Sequence, residues 1–293
     1  MPLTEAPTTH APSREQGSLP LRLTELIGQR YGGSQPSDVA GLGGAVSELL
    51  LSHRSVRRYQ PRPVPLGTLE LLVAAAQSAA SSSNLQLWSV VSVEDAERRR
   101  RLSLAANGQA HVRESSLFLV WLADLNRATE LARRHGIEPE GLDFLEMFLM
   151  ASVDASLAAQ NAVVAAEASA LSTVFIGALR NRPEEVADVL ELPQGVFALF
   201  GLCVGYADAV AATAIKPRLP QAVVLGRDRY RPVDADLVAA YDQRMTRFYE
   251  EQRMDVPAGG WSLHSAQRVQ RAASLHGRHR LVEALKGRGF GLR

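Results

Sequence analysis

The feature that most constrains this chain is an apolar stretch at residues 147–171, MFLMASVDASLAAQNAVVAAEASAL. A membrane-spanning helix needs about 20 consecutive apolar residues. Four polar residues interrupt this stretch: Asp154, Gln160, Asn161 and Glu167. We therefore predict a long buried helix over about residues 140–168 rather than a membrane span, and the rest of the chain has to pack around it.

The composition excludes several classes of protein. The chain has 293 residues, 46% of them hydrophobic, and a net charge of +1, so it has enough apolar residues for a core and no broad basic surface for nucleic acid. Cys203 is the only cysteine, which excludes an internal disulfide, and its apolar neighbours predict a buried, unreactive thiol. Residues 1–18 lack the apolar core of a secretory signal. These features predict a soluble, cytoplasmic protein without a bound metal.

The chain divides at about residue 43. Residues 1–43 are rich in Pro, Ser, Thr and Gly and contain one short amphipathic piece, LRLTELIGQRY. We therefore interpret them as a flexible or loosely docked extension, whose function the sequence does not indicate. The motif GLGGAV at 41–46 lacks the third glycine of a Rossmann fingerprint and has no strand before it, so it does not indicate that fold.

Residues 44–293 alternate between helical patterns and apolar strands, which predicts a three-layer α+β or α/β sandwich. Four segments have strand character: LWSVVSVE, SSLFLVWLAD, STVFIGAL and VFALFGLCVGYA. A helix is predicted to begin at Pro65, since proline is favoured in the first turn of a helix.

Two basic segments indicate an anion site. Residues 52–65, SHRSVRRYQPRPVP, contain His53, Arg54, Ser55 and Arg57, and arginine offers a planar fork of donors that matches phosphate. When this segment is taken alone, a solvated cationic rim is the better explanation. In KPRLP, Lys216 and Arg218 are two residues apart, and an extended chain directs such residues to the same side. The two segments together would hold one anion.

Two further segments suit close contact with a ligand. The run SAASSSNLQLW contains Ser81, Ser82 and Ser83, which form a turn or supply small hydroxyl donors. Gly177 follows an apolar strand, where a glycine allows a flat ligand to approach the backbone or simply turns the chain.

Taken in order, these motifs resemble the nitroreductase family. The resemblance rests on SHRSVRRY, SAASSSNLQ, NGQAHV, AQNAVVAAE, FIGALRN, FGLCVGYA and KPRLP, and it covers residue 46 to the C-terminus. The similar branch comprises oxygen-insensitive NADPH nitroreductases and NADPH–flavin oxidoreductases, which are FMN-dependent homodimers. The resemblance implies an α+β fold: a three-layer α/β/α sandwich with a mostly antiparallel sheet, in an intertwined dimer whose chains end in a C-terminal helical excursion.

The resemblance also implies roles for individual residues around FMN. Five residues would hold its phosphate: His53, Arg54, Ser55, Lys216 and Arg218. Arg57 would lie near the N1/O2 edge of the flavin and raise its reduction potential, whereas Gln109 would contact the N3/O4 edge. The backbone of Ile176 and Gly177 would approach N5. The serines at 81–83 would reach the FMN of the second subunit.

The implied activity is two-electron, ping-pong transfer from NADPH or NADH to nitroaromatics, quinones or flavins. Arg253 and Arg278 would bind NAD(P)H, but RMDVPAGGW has few cations, so the preference between NADPH and NADH stays open. Ala178 replaces a second family glycine, and we expect its methyl group to narrow the approach to the flavin. The alanines of the long helix are expected to allow close helix approach in the dimer. The helix can also be simply the central core helix, and both interpretations can hold together.

Two other functions remain open from the sequence. The chain would also suit an NADPH–flavin reductase that supplies free reduced flavin. A flavin-binding protein with little turnover is the other alternative, because the NAD(P)H segment is depleted in cations. The physiological electron acceptor is not indicated by any motif.

Overall fold

The computed structural model describes residues 19–32, 43–211, 213–254, 256 and 259–293. The strands are β1 Trp88–Ser92, β2 Leu117–Asp124, β3 Ser172–Ile176 and β4 Val196–Gly205. The helices of the first half are α1 Leu19–Tyr31, α2 Ala45–Ser52, α3 Thr68–Gln77, α4 Ala96–Ala105, α5 His111–Glu114 and α6 Asn126–Arg134. The remaining helices are α7 Leu145–Ala168, α8 Pro183–Leu190, α9 Gln221–Val224, α10 Ala235–Glu251, α11 Trp261–Arg268 and α12 Leu281–Gly287.

The four strands form one sheet in the order β1-β2-β4-β3, and each neighbouring pair is antiparallel. The prediction of a mostly antiparallel sheet is therefore confirmed. The two inner strands, β2 and β4, have apolar side chains on both faces, and nearly all of their residues are buried. A sheet with two apolar faces needs a cover on each side.

Helices cover both faces of the sheet, which confirms the three-layer architecture. On β2, Phe118 and Val120 pack toward the α4 and α8 side, together with Leu102 and Val186. The alternate residues Leu119 and Trp121 pack toward α3 and α7. This alternation follows from the period of two along a strand. A third cluster at the end of the sheet joins the C-terminal residues Leu285 and Phe290 to Phe197.

Helix α7 is the long helix that the sequence predicts, and it crosses the sheet as a core element. By length and composition it would suffice to cross a membrane, with a mean hydropathy of 1.3 and 39% of the tested window buried in the fold. Most of its alanines pack into the chain's own core, as expected of a central core helix: Ala151, Ala155, Ala158, Ala159, Ala162 and Ala166. Their expected role in a dimer stays a prediction. The exposed apolar side chains of α7 are larger and recur every fourth residue: Leu145, Leu149, Val153 and Leu157.

Helix α3 begins three residues later than predicted. Gly67 has a left-handed backbone conformation with φ of +83°, which interrupts helical geometry after Pro65. The side chain of Thr68 donates a hydrogen bond to the carbonyl of Pro65 at 2.7 Å and so holds the turn that precedes the helix.

Helix α1 lies within the range that we interpreted as a flexible extension. Its residues Leu23 and Leu26 are buried, and Arg30 is only 5% exposed. The amphipathic piece is therefore a docked helix, because its apolar side and one arginine are buried against the rest of the chain. The remainder of the extension, residues 1–18 and 33–42, lies outside the described residues, and the boundary at 43 stays a prediction.

Candidate anion and cofactor site

The first basic segment leaves α2 in an extended conformation and docks on the edge strand β3. The amide of Val56 donates to the carbonyl of Thr173 at 3.0 Å, and Ser55 pairs with the same residue in a parallel bridge. Val56 is buried, whereas its neighbours Ser55 and Arg57 are exposed. The alternation of an extended chain thus anchors the segment through one side and leaves Ser55 and Arg57 on the other.

His53 is fixed by a carboxylate from the last turn of α7. Its Nδ1 lies 2.6 Å from Oε1 of Glu167, and the hydroxyl of Thr173 donates to the same oxygen at 3.1 Å. The imidazole is therefore held in one orientation at the end of the first basic segment. Glu167 appeared in the sequence only as a polar interruption of an apolar run.

The second basic segment lies beside the first. The side chain of Arg54 donates to the carbonyl of Thr213, three residues before the second segment, at 3.3 Å. The hydroxyl of Tyr241 donates to the carbonyl of Pro217 at 3.1 Å. We call residues 53–57 and 216–218 together the anion clamp. The structure brings all five predicted phosphate-binding residues into this clamp, where they line one cavity.

That cavity has a volume of about 780 Å³ and a strongly positive lining. Its basic residues are Arg30, His53, Arg54, Arg57, Arg58, Lys216, Arg218 and Arg253. No Asp or Glu belongs to its lining within the part of the chain that the structure describes. Burial lowers the pKa of Lys216, and the charges of Arg57 and Arg218 lower it further. Such an excess of positive charge suits a multiply charged anion such as a phosphate monoester.

Gln109 lies on the Arg57 side of the site, although it does not line the cavity. Its Oε1 is 3.1 Å from Nε2 of His111. Burial lowers the pKa of His111, and the positive charge of Arg57 lowers it further, which favours the neutral ring. In the tautomer that carries its proton on Nε2, His111 donates to Gln109 and leaves the amide NH₂ free to donate elsewhere.

The turn after β3 contains Ile176 and Gly177, whose backbone contact with a ligand stays a prediction. Ile176 is buried, so only its backbone is available, and a Cβ at Gly177 would lie 3.4 Å from Nη2 of Arg180. The expectation that Ala178 narrows the approach is wrong, because its methyl group packs in the core beneath the sheet. The backbone at residue 178 thus directs the methyl group of Ala178 into the core.

The serine run lies far from the clamp of the same chain. Ser81 donates its hydroxyl hydrogen bond to Asp154 at 2.7 Å, and the amide of Ser82 donates to the same carboxylate at 3.2 Å. Along α7, Asp154 is separated from Glu167 by about 20 Å at the helical rise of about 1.5 Å per residue. One chain therefore does not bring residues 81–83 to its own clamp.

The two candidate NAD(P)H residues are in different places. Arg253 lines the cavity beside the clamp. Arg278 lies outside it, where its Nε donates to Oδ1 of Asn181 at 2.8 Å. Within the segment RMDVPAGGW, residues 255, 257 and 258 lie outside the described residues. The cavity also contains Arg30, which the sequence analysis missed because no motif links a residue of the extension to the clamp.

Two family models match the chain. The model of the nitroreductase family matches residues 50–206, and the model of the nitroreductase family C-terminal domain matches residues 216–293. An oxygen-insensitive NADPH nitroreductase of Salmonella typhimurium is 36% identical over 247 residues, which cover 84% of this chain and 98% of the relative. An FMN reductase [NAD(P)H] of Bacillus subtilis is 37% identical over 248 residues, 84% of this chain and 97% of the relative.

Solved structures agree with these matches. The structure of an NADPH:FMN oxidoreductase from Vibrio harveyi, complexed with NAD⁺, superposes with a TM-score of 0.76 at 32% identity. The match covers 85% of this chain and all of that chain, 100%. A hypothetical oxidoreductase from Bacillus subtilis gives a TM-score of 0.80 at 35% identity and covers 86% of this chain and 100% of that one.

Proposed function

Because the chain belongs to the nitroreductase family, we propose that it is an FMN-dependent NAD(P)H oxidoreductase that reduces nitroaromatics, quinones or flavins. The single observation that carries this proposal is the cavity in which two distant basic segments present an excess of cations. Relatives that share most of their length with this chain are named as reductases of nitro compounds or of FMN, which supports the same reaction class.

The clamp fits the phosphate of FMN. Lys216 is partly desolvated and lies among the charges of Arg57 and Arg218, and both effects lower its pKa. A phosphate monoester carries close to two negative charges at neutral pH and would relieve this repulsion. His53, Arg54, Ser55, Lys216 and Arg218 would hold the phosphate, with His53 kept in place by Glu167.

Bound FMN supplies the two-electron chemistry, and the residues of this chain bind, orient and tune it. Arg57 would place a fixed positive charge beside the N1/O2 edge, where negative charge develops on reduction. Gln109, oriented by His111, would donate to the N3/O4 edge. The backbone at Gly177 would leave room at N5. NAD(P)H and the acceptor would use the same face in turn, so initial-rate plots should give parallel lines.

A homodimer is part of this proposal. The apolar residues Leu145, Leu149, Val153 and Leu157 are each 44–55% exposed on one side of α7, which is a large apolar surface for a single chain. The distance between the serine run and the clamp supports a site shared by two chains, in which residues 81–83 contact the FMN of the partner. We also infer that the enzyme acts on small molecules in the cytoplasm.

The absorption spectrum of the purified chain tests the proposed function. We expect the flavin bands of bound FMN, their loss when NADPH or NADH is added without oxygen, and their return when an acceptor is added. Separate titrations with NADPH and NADH would show which is preferred. A colourless protein that takes up no FMN from solution would contradict the proposal.

Two alternatives are distinguished by turnover. A flavin reductase, which the names of two Bacillus subtilis relatives favour, would reduce free FMN faster than a nitroaromatic such as nitrofurazone. A flavin-binding protein with little turnover would keep its colour when NADPH or NADH is added. The observation behind this second alternative is that, among the described residues of the segment after α10, Arg253 is the one cation that lines the cavity.

A further inference from the structure

We propose that Arg30, on the N-terminal helix α1, is a positioning residue of the anion clamp, so that α1 forms part of the cofactor site. This inference rests on the proposed function, because the clamp is taken to bind the FMN phosphate. The nitroreductase family model begins at residue 50, so α1 lies outside the part of the chain that it matches.

The side chain of Arg30 ties both halves of the clamp together. Its Nε donates to the carbonyl of Leu51 at 2.8 Å, and its Nη2 donates to the carbonyl of His53 at 2.5 Å. Its Nη1 donates to the carbonyl of Lys216 at 3.2 Å. A planar guanidinium with donors on three nitrogens can hold three carbonyls in a fixed relation, which a flexible ammonium cannot do.

The backbone at the end of α1 adds two more connections. The amide of Arg218 donates to the carbonyl of Arg30 at 2.7 Å. Arg244 of α10 donates to the carbonyl of Tyr31. Helix carbonyls in the last turn have no partner within the helix, so these donors cap α1 and tie its end to Arg218 of the clamp. Arg30 thus contacts the second basic segment through its side chain and through its backbone.

Burial and charge show that Arg30 faces the clamp from inside. Burial lowers the pKa of Arg30, the charge of Arg218 lowers it further, and the nearby Tyr31 and Glu167 act in the opposite direction. The hydrogen-bond partners described for its side chain are neutral carbonyls, so its charge remains available to the cavity that it lines. A fixed cation behind the phosphate site favours an anion over a neutral ligand.

The test compares FMN with riboflavin, which has the same ring system and no phosphate. We expect Arg30→Met to raise the Kd of the apoprotein for FMN about tenfold, measured by quenching of flavin fluorescence at fixed ionic strength. The Kd for riboflavin should change by less than about twofold, since Arg30 holds His53 and Lys216, which are assigned to the phosphate. A general structural defect would weaken both ligands equally and would overturn the proposal.

Arg22→Met is the matched control. Arg22 lies on the same helix, is exposed, and pairs with Glu48 at 2.6 Å instead of with the clamp. The variant loses the same charge from α1, so it should bind FMN and riboflavin as the wild-type chain does. An equal loss of FMN affinity in Arg22→Met and Arg30→Met would contradict a specific role for Arg30.

Arg30→Lys separates geometry from charge and serves if Arg30→Met does not fold. Lysine keeps the positive charge but cannot hold three carbonyls, so its FMN affinity should stay at least about threefold below that of the wild type. Full recovery in Arg30→Lys would overturn the positioning role. If the wild-type chain binds no FMN, both the proposed function and this inference fail. If the ratio of the Kd for riboflavin to the Kd for FMN is the same in the wild type and in Arg30→Met, only this inference fails.

Discussion

At the scale of single residues, Arg54 of the clamp and Arg30 beside it are held by neutral partners. Arg54 bonds to the carbonyl of Thr213, and Arg30 bonds to three carbonyls. His53 is the exception, since it pairs with the carboxylate of Glu167. Neutral partners fix the position of a side chain without cancelling its charge, so the positive charge stays available to a ligand.

The pH dependence of FMN binding should show whether protonated Lys216 binds the phosphate. Its pKa is lowered by burial and then by Arg57 and Arg218, and a bound phosphate would favour the protonated form. FMN affinity should therefore fall as pH rises through this lowered pKa, and also fall below about pH 6, where the phosphate takes up a proton. Fluorescence titrations across the pH range measure both limits.

Lys216→Arg is the control for the alkaline limb. Arginine stays protonated to a pKa above about 12, so the fall at high pH should disappear in this variant. Riboflavin has the same ionisable ring as FMN but no phosphate. Its affinity should therefore show neither the fall at low pH nor the fall at high pH that depends on the phosphate. An alkaline fall that persists in Lys216→Arg would show that another group is responsible.

The charge of Arg57 should set the reduction potential of the bound flavin. Replacing it by leucine removes the cation expected beside N1 and O2, so the two-electron potential should become more negative by about 30 mV, equivalent to about 1.4 kcal/mol. Arg62→Leu is the matched control, because Arg62 stacks on Tyr206 at 3.9 Å and does not line the cavity. Reduction against dyes of known potential measures both; equal potentials in the two variants would contradict the assignment.

At the scale of elements, local patterns predicted the fold well where the stabilising contacts are also local. In helix α4, for example, Asp95 caps the first turn by accepting the amide of Arg98 at 2.7 Å. The start of α3 was missed because it depends on the left-handed conformation of Gly67, which the sequence only permits. The sequence left two compatible roles open for the α7 alanines, because periodicity does not distinguish a face that packs on the chain's own sheet from one that packs on a partner.

The exposed side of α7 should form the dimer interface. Leu149→Glu places a charge on this apolar surface. The free-energy cost of burying an unpaired charge in the interface is far larger than the stabilisation that one apolar residue contributes there. We expect sedimentation to give a monomer and the bound FMN to be lost. Leu131→Glu, at an equally exposed position on α6, should remain a dimer with full FMN content. A dimeric Leu149→Glu would exclude this surface.

At the scale of the whole molecule, the site joins segments that are distant in sequence. The motifs at 53–57 and 216–218 could be predicted because arginine, lysine and serine in those patterns suit phosphate, and the roles around the flavin came from the family resemblance. Arg30 and Glu167 could not be predicted in the same way. Each acts through residues more than a hundred positions away, and a single sequence contains no signal of that proximity.

Complementation should test whether each site is shared between two chains. Arg218→Met disables the clamp and Ser82→Leu blocks the serine run, so each homodimer should bind FMN weakly. A heterodimer purified through two different tags has one site with both segments intact and should bind about one FMN per dimer. Heterodimers that bind no more FMN than either parent would show that clamp and serine run do not meet across the interface.

The bond between Arg30 and the carbonyl of Lys216 spans 186 positions, and this separation has a consequence for biosynthesis. The ribosome releases α1 early, but the second partner segment emerges only after the whole sheet has been made. Long-range contacts of this kind form late because the intervening loop must close first. A nascent polypeptide therefore holds an arginine without its full set of acceptors until translation is nearly complete, and loading with flavin follows that step.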